Sequence, residues 1–194
     1  MPGRPKIFNE EEVISKAIDV FWKYGYEASS TEMLLDAMGI GKSSFYLEFK
    51  GGKRELFERA MQQRSRKAVE NLEKGFKEAE NKMDHLKSLF FSIADIKSLR
   101  HKNGCLLGNT IAELSNRESG LTDMAAGLLL KLEQVFLKVI KEAQANGTLQ
   151  TKEKPEMLSK YLLSVWNGLN ISVRVYPNKK VLIPLIEKQL EILK

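Results

Sequence analysis

The chain has 194 residues, of which 43% are hydrophobic and 29% charged, and a formal net charge of +6 with a pI of about 9.3; this is an ordinary globular composition, enough for one sizeable domain or a small one joined to a larger. No apolar run approaches the ~18 residues that span a bilayer, and the basic start MPGRPKIFNEEE has no apolar segment behind it, which excludes a signal peptide. The single cysteine, Cys105, excludes an intramolecular disulfide framework and fits a reducing, cytoplasmic setting.

The pattern is helical along the whole chain. Pro occurs only at 2, 5, 155, 177 and 184, and no alternating Val/Ile/Thr run predicts a strand. Residues 1–8 read as a loose arm. Asn9 caps a first helix with Glu10, Glu11 and Glu12 in its first turn; Val13, Ala17, Val20, Phe21 and Tyr24 recur at helical spacing, and Gly25 stops it. Ser30 or Thr31 caps a second helix to Met38. A third runs from Lys42 or Ser43 to Phe49, and Gly51-Gly52 ends it. A long fourth begins near Lys53 and reaches about Lys77. Leu86, Leu89, Phe90 and Ile93 mark the next, followed by a polar loop from Arg100 to Gly104. Cys105–Leu114, Leu121–Asn146, Pro155–Tyr176 and Lys179–Lys194 complete the series, the last with Pro184 inside, where a kink is expected. The expectation is an all-α chain of about nine helices: an arm and helix-turn-helix over 1–52, and a larger helical body over 53–194.

Residues 21–57 carry the most information. Two short helical patterns flank Gly39-Ile40-Gly41, as in a bracing helix and a reading helix that enters the major groove. Phe45 and Phe49 share a face that Ile40 can join, which makes it the core face. Ser43, Tyr46, Leu47 and Lys50 share the opposite one. Serine can bond phosphate or base edges, Tyr46 can donate its phenol to a phosphate, Lys42 and Lys50 can neutralise phosphates, and Leu47 can touch a thymine methyl. Residues 1–54 carry 8 Lys+Arg against 8 Asp+Glu, so a few placed cations must act rather than a general positive field. For an arbitrary helix this face would be plain solvated surface; the helix and tight turn before it favour the groove.

At these residues the chain resembles the TetR family of bacterial one-component transcription regulators. The resemblance rests on Phe21, Gly25-Tyr26, Ser30-Thr31, Met38-Gly39-Ile40, Lys42-Ser43-Ser44-Phe45-Tyr46, Phe49, Lys53 and Leu56-Phe57, and covers about 45 residues. It implies a homodimer on double-stranded DNA with a palindromic operator, a repressor by family habit, whose first three helices bind DNA and whose remaining helices bind a ligand and dimerise. It further implies that Tyr46 and Lys53 contact phosphates, that Lys42 and Ser44 lie at the DNA backbone with Thr31 near them, and that the helix around Ser43 and Leu47 reads bases. A Lys at a helix N-terminus also suits a phosphate on physical grounds. Glu48 departs from the family pattern and sets an anion beside the reading face. Arg4 and Lys6 resemble a basic arm that follows the minor groove, beside the plainer reading of a disordered tail.

Other patterns lead nowhere. Gly41-Lys42-Ser43 mimics the end of a phosphate-binding loop, but Asp36 stands where the motif needs Gly, and no strand precedes it. His85 and His101 with one Cys make a poor metal set, and no catalytic triad is legible; neither metal, cofactor nor enzymatic activity is expected. In the body, Phe90, Phe91, Leu107, Leu129, Trp166 and Asn170 are candidate linings for a small-molecule inducer, each equally readable as core. Cys105 follows Arg100, His101 and Lys102 at a loop-to-helix junction, where nearby cations and a helix N-terminus favour a reactive thiol; the segment Gly104 to Asn109 resembles a subgroup of the family in which this Cys recurs and some members respond to oxidants or electrophiles. A buried structural thiol is the alternative. Leu162, Val165, Leu169, Val173, Leu182, Leu185, Ile186 and Leu190 form a stripe on the last two helices that can either close a dimer or complete the subunit's own core. An all-helical interaction or scaffold protein is the alternative to a DNA-binding regulator.

Overall fold

The computed structural model describes residues 8–95 and 103–194, and among these every regular element is a helix. Helix α1 spans Glu10–Ala28. Asn9 Oδ1 accepts the N–H groups of Glu11 (3.0 Å) and Glu12 (3.3 Å), and three glutamates in the first turn suit the positive end of the helix dipole. Its buried stripe is Val13, Ile14, Ala17, Ile18 and Phe21. Tyr24, expected on that stripe, is exposed instead, and Val20 is half-buried, because the packed face is centred on Ile14 and Ile18. Gly25, at φ 82°, interrupts the helix as expected, but one more turn follows before Ser29.

Helix α2 (Thr31–Met38) starts where Ser30 Oγ accepts the Met33 N–H (3.1 Å) and stops at the left-handed Gly39. Helix α3 is Lys42–Glu48, and α4 is Gly52–Glu78, beginning one residue before Lys53. Helices α5 (Lys82–Ser92), α6 (Leu106–Leu114), α7 (Ser119–Ala145), α8 (Pro155–Val175) and α9 (Lys179–Leu190) follow, then a 3-10 turn, Glu191–Leu193. Pro155 takes the first turn of α8, where its missing N–H costs nothing. Pro184 lies inside α9 without ending it. The polar loop expected from Arg100 falls mostly outside the described residues.

Two apolar clusters organise the packing. The first joins Phe21, Phe45, Phe49 and Phe57 to Leu107 and Leu114 of α6 and to Leu121 and Leu128 of α7. The second joins Phe76, Phe90 and Phe136 to Leu162, Leu169 and Ile186. Burying one such side chain is worth roughly 1.5–3 kcal/mol. The stripe on the last two helices is resolved by this second cluster: Leu162, Val165, Leu169, Val173, Leu182, Ile186 and Leu190 are buried within the subunit, and Leu185 packs beside them. The face of α8 that is left exposed carries Met157, Ser164, Gly168, Ile171 and Val175.

Candidate functional site

The turn at Gly39 and the aromatic core fix α3 from below. Phe45 and Phe49 are fully buried with ring centroids 5.4 Å apart, and Phe57 meets Phe21 edge-on at 4.7 Å. This leaves Lys42, Ser43, Tyr46, Leu47 and Lys50 exposed, Ser44 half-buried, and Thr31 half-buried at the start of α2. Leu47 is 79% exposed, the most exposed large apolar side chain among the described residues. Tyr46 sets its ring edge-on against Phe45 at 5.0 Å and is 46% exposed. The result is a rigid convex face of hydroxyl, phenol, methyl and ammonium groups, shaped for a groove.

Glu48 does not belong to that face. Its carboxylate lies 3.1 Å from Arg59, and Arg59 also reaches Glu10 (2.8 Å) and Glu55 while stacking over the Phe49 ring at 5.1 Å. The anion that departs from the family pattern is therefore turned back and neutralised. Burial works against the charge of Arg59, and its bonds to Glu55, Glu48 and Glu10 outweigh that, raising its pKa. Glu55 also accepts the Gly51 N–H at 2.7 Å; that bond and then Arg59 hold its carboxyl below the usual carboxylate range. One guanidinium thus ties α1, the end of α3 and α4 together.

Lys53 is the site residue whose placement differs most from a free phosphate contact. Its ammonium donates to the carbonyls of Tyr26 (3.0 Å) and Ser29 (3.1 Å), with Glu27 at 3.4 Å, and sits 4.5 Å over the Tyr26 ring. It caps the last turn of α1. The other end of that turn is held from the body: Glu113 of α6 accepts the N–H groups of Tyr26 (3.0 Å) and Glu27 (2.8 Å), which the break at Gly25 leaves without helical partners. A Cβ on Gly25 would stand 2.7 Å from that carboxylate. One further tie joins residues 1–52 to the body: Trp22 Nε1–H donates to Gly104 O at 2.9 Å; within the body, Arg54 of α4 pairs with Glu118 just before α7. Arg4 and Lys6 lie outside the described residues.

In the body, a cavity of about 310 Å³ opens beside Cys105. Leu107, Leu129, Trp166 and Asn170 line it, as expected, together with Trp22, Arg64 and Ser65. Phe90 and Phe91 do not. Phe90 is sealed in the core between Phe136 (5.8 Å) and Trp166 (6.0 Å), and Phe91 packs against the second cluster. Cys105 is the partly exposed residue preceding α6, while Arg100, His101 and Lys102 lie outside the described residues. Sequence reasoning missed Trp22, Arg64, Ser65 and Glu113. A lone carboxylate in the otherwise uncharged helix of Leu106–Leu114 was the one available signal; the other three sit in ordinary amphipathic helices.

Residues 13–60 match the family described as "Bacterial regulatory proteins, tetR family", and residues 83–183 match "Tetracyclin repressor-like, C-terminal domain". The chain is 29% identical over 175 residues to the HTH-type transcriptional repressor ComR of Escherichia coli (strain K12), covering 89% of this chain and 82% of that protein. Among solved structures, a cysteine mutant of the regulator CifR complexed with 26-base-pair operator DNA superposes with a TM-score of 0.83 at 22% identity, over 99% of this chain and 100% of that one. The reduced form of Escherichia coli NemR gives 0.83 at 16% identity, over 95% and 97%. At such identities these two structures establish a shared fold.

Proposed function

The chain belongs to the TetR family of bacterial regulatory proteins and is a DNA-binding transcription regulator, and from that premise we propose that it is a homodimeric repressor of a palindromic operator, released when the body cavity is occupied or Cys105 is modified. Family membership removes the scaffold alternative. The observation that carries the operator reading is the α3 face: Ser43, Tyr46, Leu47 and Lys50 stand outward on a helix whose other side is locked in aromatic core, and Leu47 at 79% exposure has no role inside the subunit. In this reading residues 1–52 bind DNA and 53–194 regulate and dimerise. Lys42, Ser44, Tyr46, Lys50 and Lys53 meet the backbone, with Thr31 beside them, Ser43 and Leu47 read bases, and Arg4 and Lys6 follow the minor groove. Lys53 holds the α1 turn with all three of its N–H donors, and meets a phosphate by giving up the longest of these bonds, to Glu27 O.

The dimer reading rests on α8. Met157, Ser164, Gly168, Ile171 and Val175 share one exposed face at spacings of three, four and seven. Ile171 and Val175 are 62% and 61% exposed, and a Cβ on Gly168 would meet nothing within 4 Å in the subunit. An apolar face with a small residue at its centre suits the close approach of a second helix. Two reading helices then face successive major grooves about 34 Å apart. The cavity, about 310 Å³, lies at the lower end of the roughly 300–1,000 Å³ of ligand pockets, which suits a small effector. Its mainly apolar walls, with Arg64, Ser65 and Asn170 as polar points, suit an apolar molecule bearing one polar group.

Selection of bound sequences from a random duplex pool, with the purified protein under reducing conditions, tests the operator reading. An enriched palindrome is expected. Weak, salt-sensitive binding without enrichment would remove the specific-operator reading.

A further inference from the structure

We infer that Trp22 is the residue through which the contents of the cavity are felt by the DNA-reading head. This rests on the cavity being the effector site and adds the route out of it. The described lining comes from α4 to α8 and the approach to α6, with one exception: Trp22 belongs to α1. A molecule in the cavity therefore meets the head directly, with no intervening helix.

Trp22 is also held by groups that face the same cavity. Its indole N–H donates to Gly104 O at 2.9 Å, and the Arg64 guanidinium stacks over its ring at 4.8 Å; Gly104 and Arg64 both line the space. An occupant that bonds Arg64 changes the contact over the ring, and one that displaces Gly104 beside Cys105 changes the contact at the N–H. The next turn converts a shift at Trp22 into a change of angle. Past Gly25 at φ 82°, the turn Tyr26–Ala28 is gripped by Glu113 at its N–H end and by Lys53 at its carbonyl end. The part of α1 before Gly25 carries Val13, Ile14, Ala17, Ile18 and Phe21 of the head's core. It can shift about Gly25 relative to the turn that Glu113 of α6 holds, carrying α2, which packs on α1, and the end of α3, which Arg59 ties to Glu10. A direct contact of this kind has differential affinity for two head positions, which is what coupling requires.

The test uses N-ethylmaleimide on the full-length dimer. The single cysteine makes labelling specific to Cys105: its sulfur bonds to one alkene carbon of the maleimide, the carbon–carbon π bond is lost, and the thiol proton ends on the neighbouring carbon. The compact adduct then occupies the cavity wall. Labelled wild type should lose operator affinity by about tenfold or more, within the usual range of allosteric coupling. The Trp22→Phe variant keeps an aromatic ring and loses the N–H donor. Labelled to the same extent by mass, it should bind operator within about twofold of its own unlabelled form, less than the ~5-fold lower end of typical coupling. Full release of labelled Trp22→Phe would overturn the route through Trp22 and leave the cavity reading standing. No release of labelled wild type would remove the cavity reading and this inference with it. A second variant guards against misfolding. The chain has two tryptophans, so Trp166→Phe leaves Trp22 as the sole emitter, and labelling should shift or quench its fluorescence; unchanged emission would also overturn the proposal.

Discussion

At Gly25 two constraints meet on one atom that is absent. The backbone, φ 82° and ψ 177°, lies in a region that only glycine enters readily, and the space where a Cβ would stand is occupied by the Glu113 carboxylate. Gly25→Ala should therefore destabilise the fold by about 1–3 kcal/mol, seen as a lower urea midpoint with an unchanged denaturant slope. Glu55 supports a prediction about acid. The Gly51 N–H and then Arg59 hold its folded-state pKa below the usual value. The stabilisation it provides is therefore complete above the ordinary carboxylate pKa of about 4.3 and is lost as pH falls through the depressed value. The wild-type urea midpoint should fall on acidification through that window, and Glu55→Gln should flatten the fall. Residue-scale contacts of this kind are poorly legible in sequence. Trp22 and Gly104 are 82 positions apart and Tyr26 and Glu113 are 87 apart, and no local pattern announces a carboxylate that caps a helix belonging to another part of the chain. Glu48 shows the same limit: its neighbours in sequence suggest a charge beside DNA, while its partner, Arg59, decides where it points.

Helices, in contrast, declare themselves. Asn9, Ser30, Asn81 and Asn178 each accept N–H groups at the start of a helix, and Gly39 ends α2 in the left-handed conformation that a residue with a Cβ resists. The 3.6 period located the cores of α1 and α4 to within a residue or two. On α8 it found the inward stripe, Leu162, Val165 and Leu169, but left open what covers it and passed over the outward Ile171 and Val175, because apolar residues occupy both sides. Periodicity identifies an amphipathic face only when the other face is polar. Helix α3 has such contrast, and its outward face yields two separable predictions. Lys50→Ala should weaken binding to all duplexes alike and reduce the slope of log affinity against log salt by about 1. Leu47→Ala should leave that slope unchanged and alter the sequence preference at one position per half-site, read by repeating the duplex selection.

At the scale of the whole molecule, the proposed dimer can be separated from subunit stability by one substitution. A Cβ at Gly168 meets nothing within 4 Å, and Gly168→Glu improves helix propensity by about 0.5–1 kcal/mol, so the isolated subunit should be no less stable. In the dimer it sets two like charges in an apolar seam, and sedimentation should show monomers that no longer bind a two-half-site operator. The first apolar cluster carries a different consequence. Phe21, Phe45 and Phe49 share one core with Leu56 and Phe57 and with Leu107, Leu114, Leu121 and Leu128, all beyond the proposed division after residue 52. A reading head cut at that point leaves its aromatic floor bare and will not be a transplantable module. A chimera that exchanges operator preference between relatives must either bring along its matching α6 and first half of α7, or confine the exchange to the exposed residues of α3, Ser43, Tyr46 and Leu47.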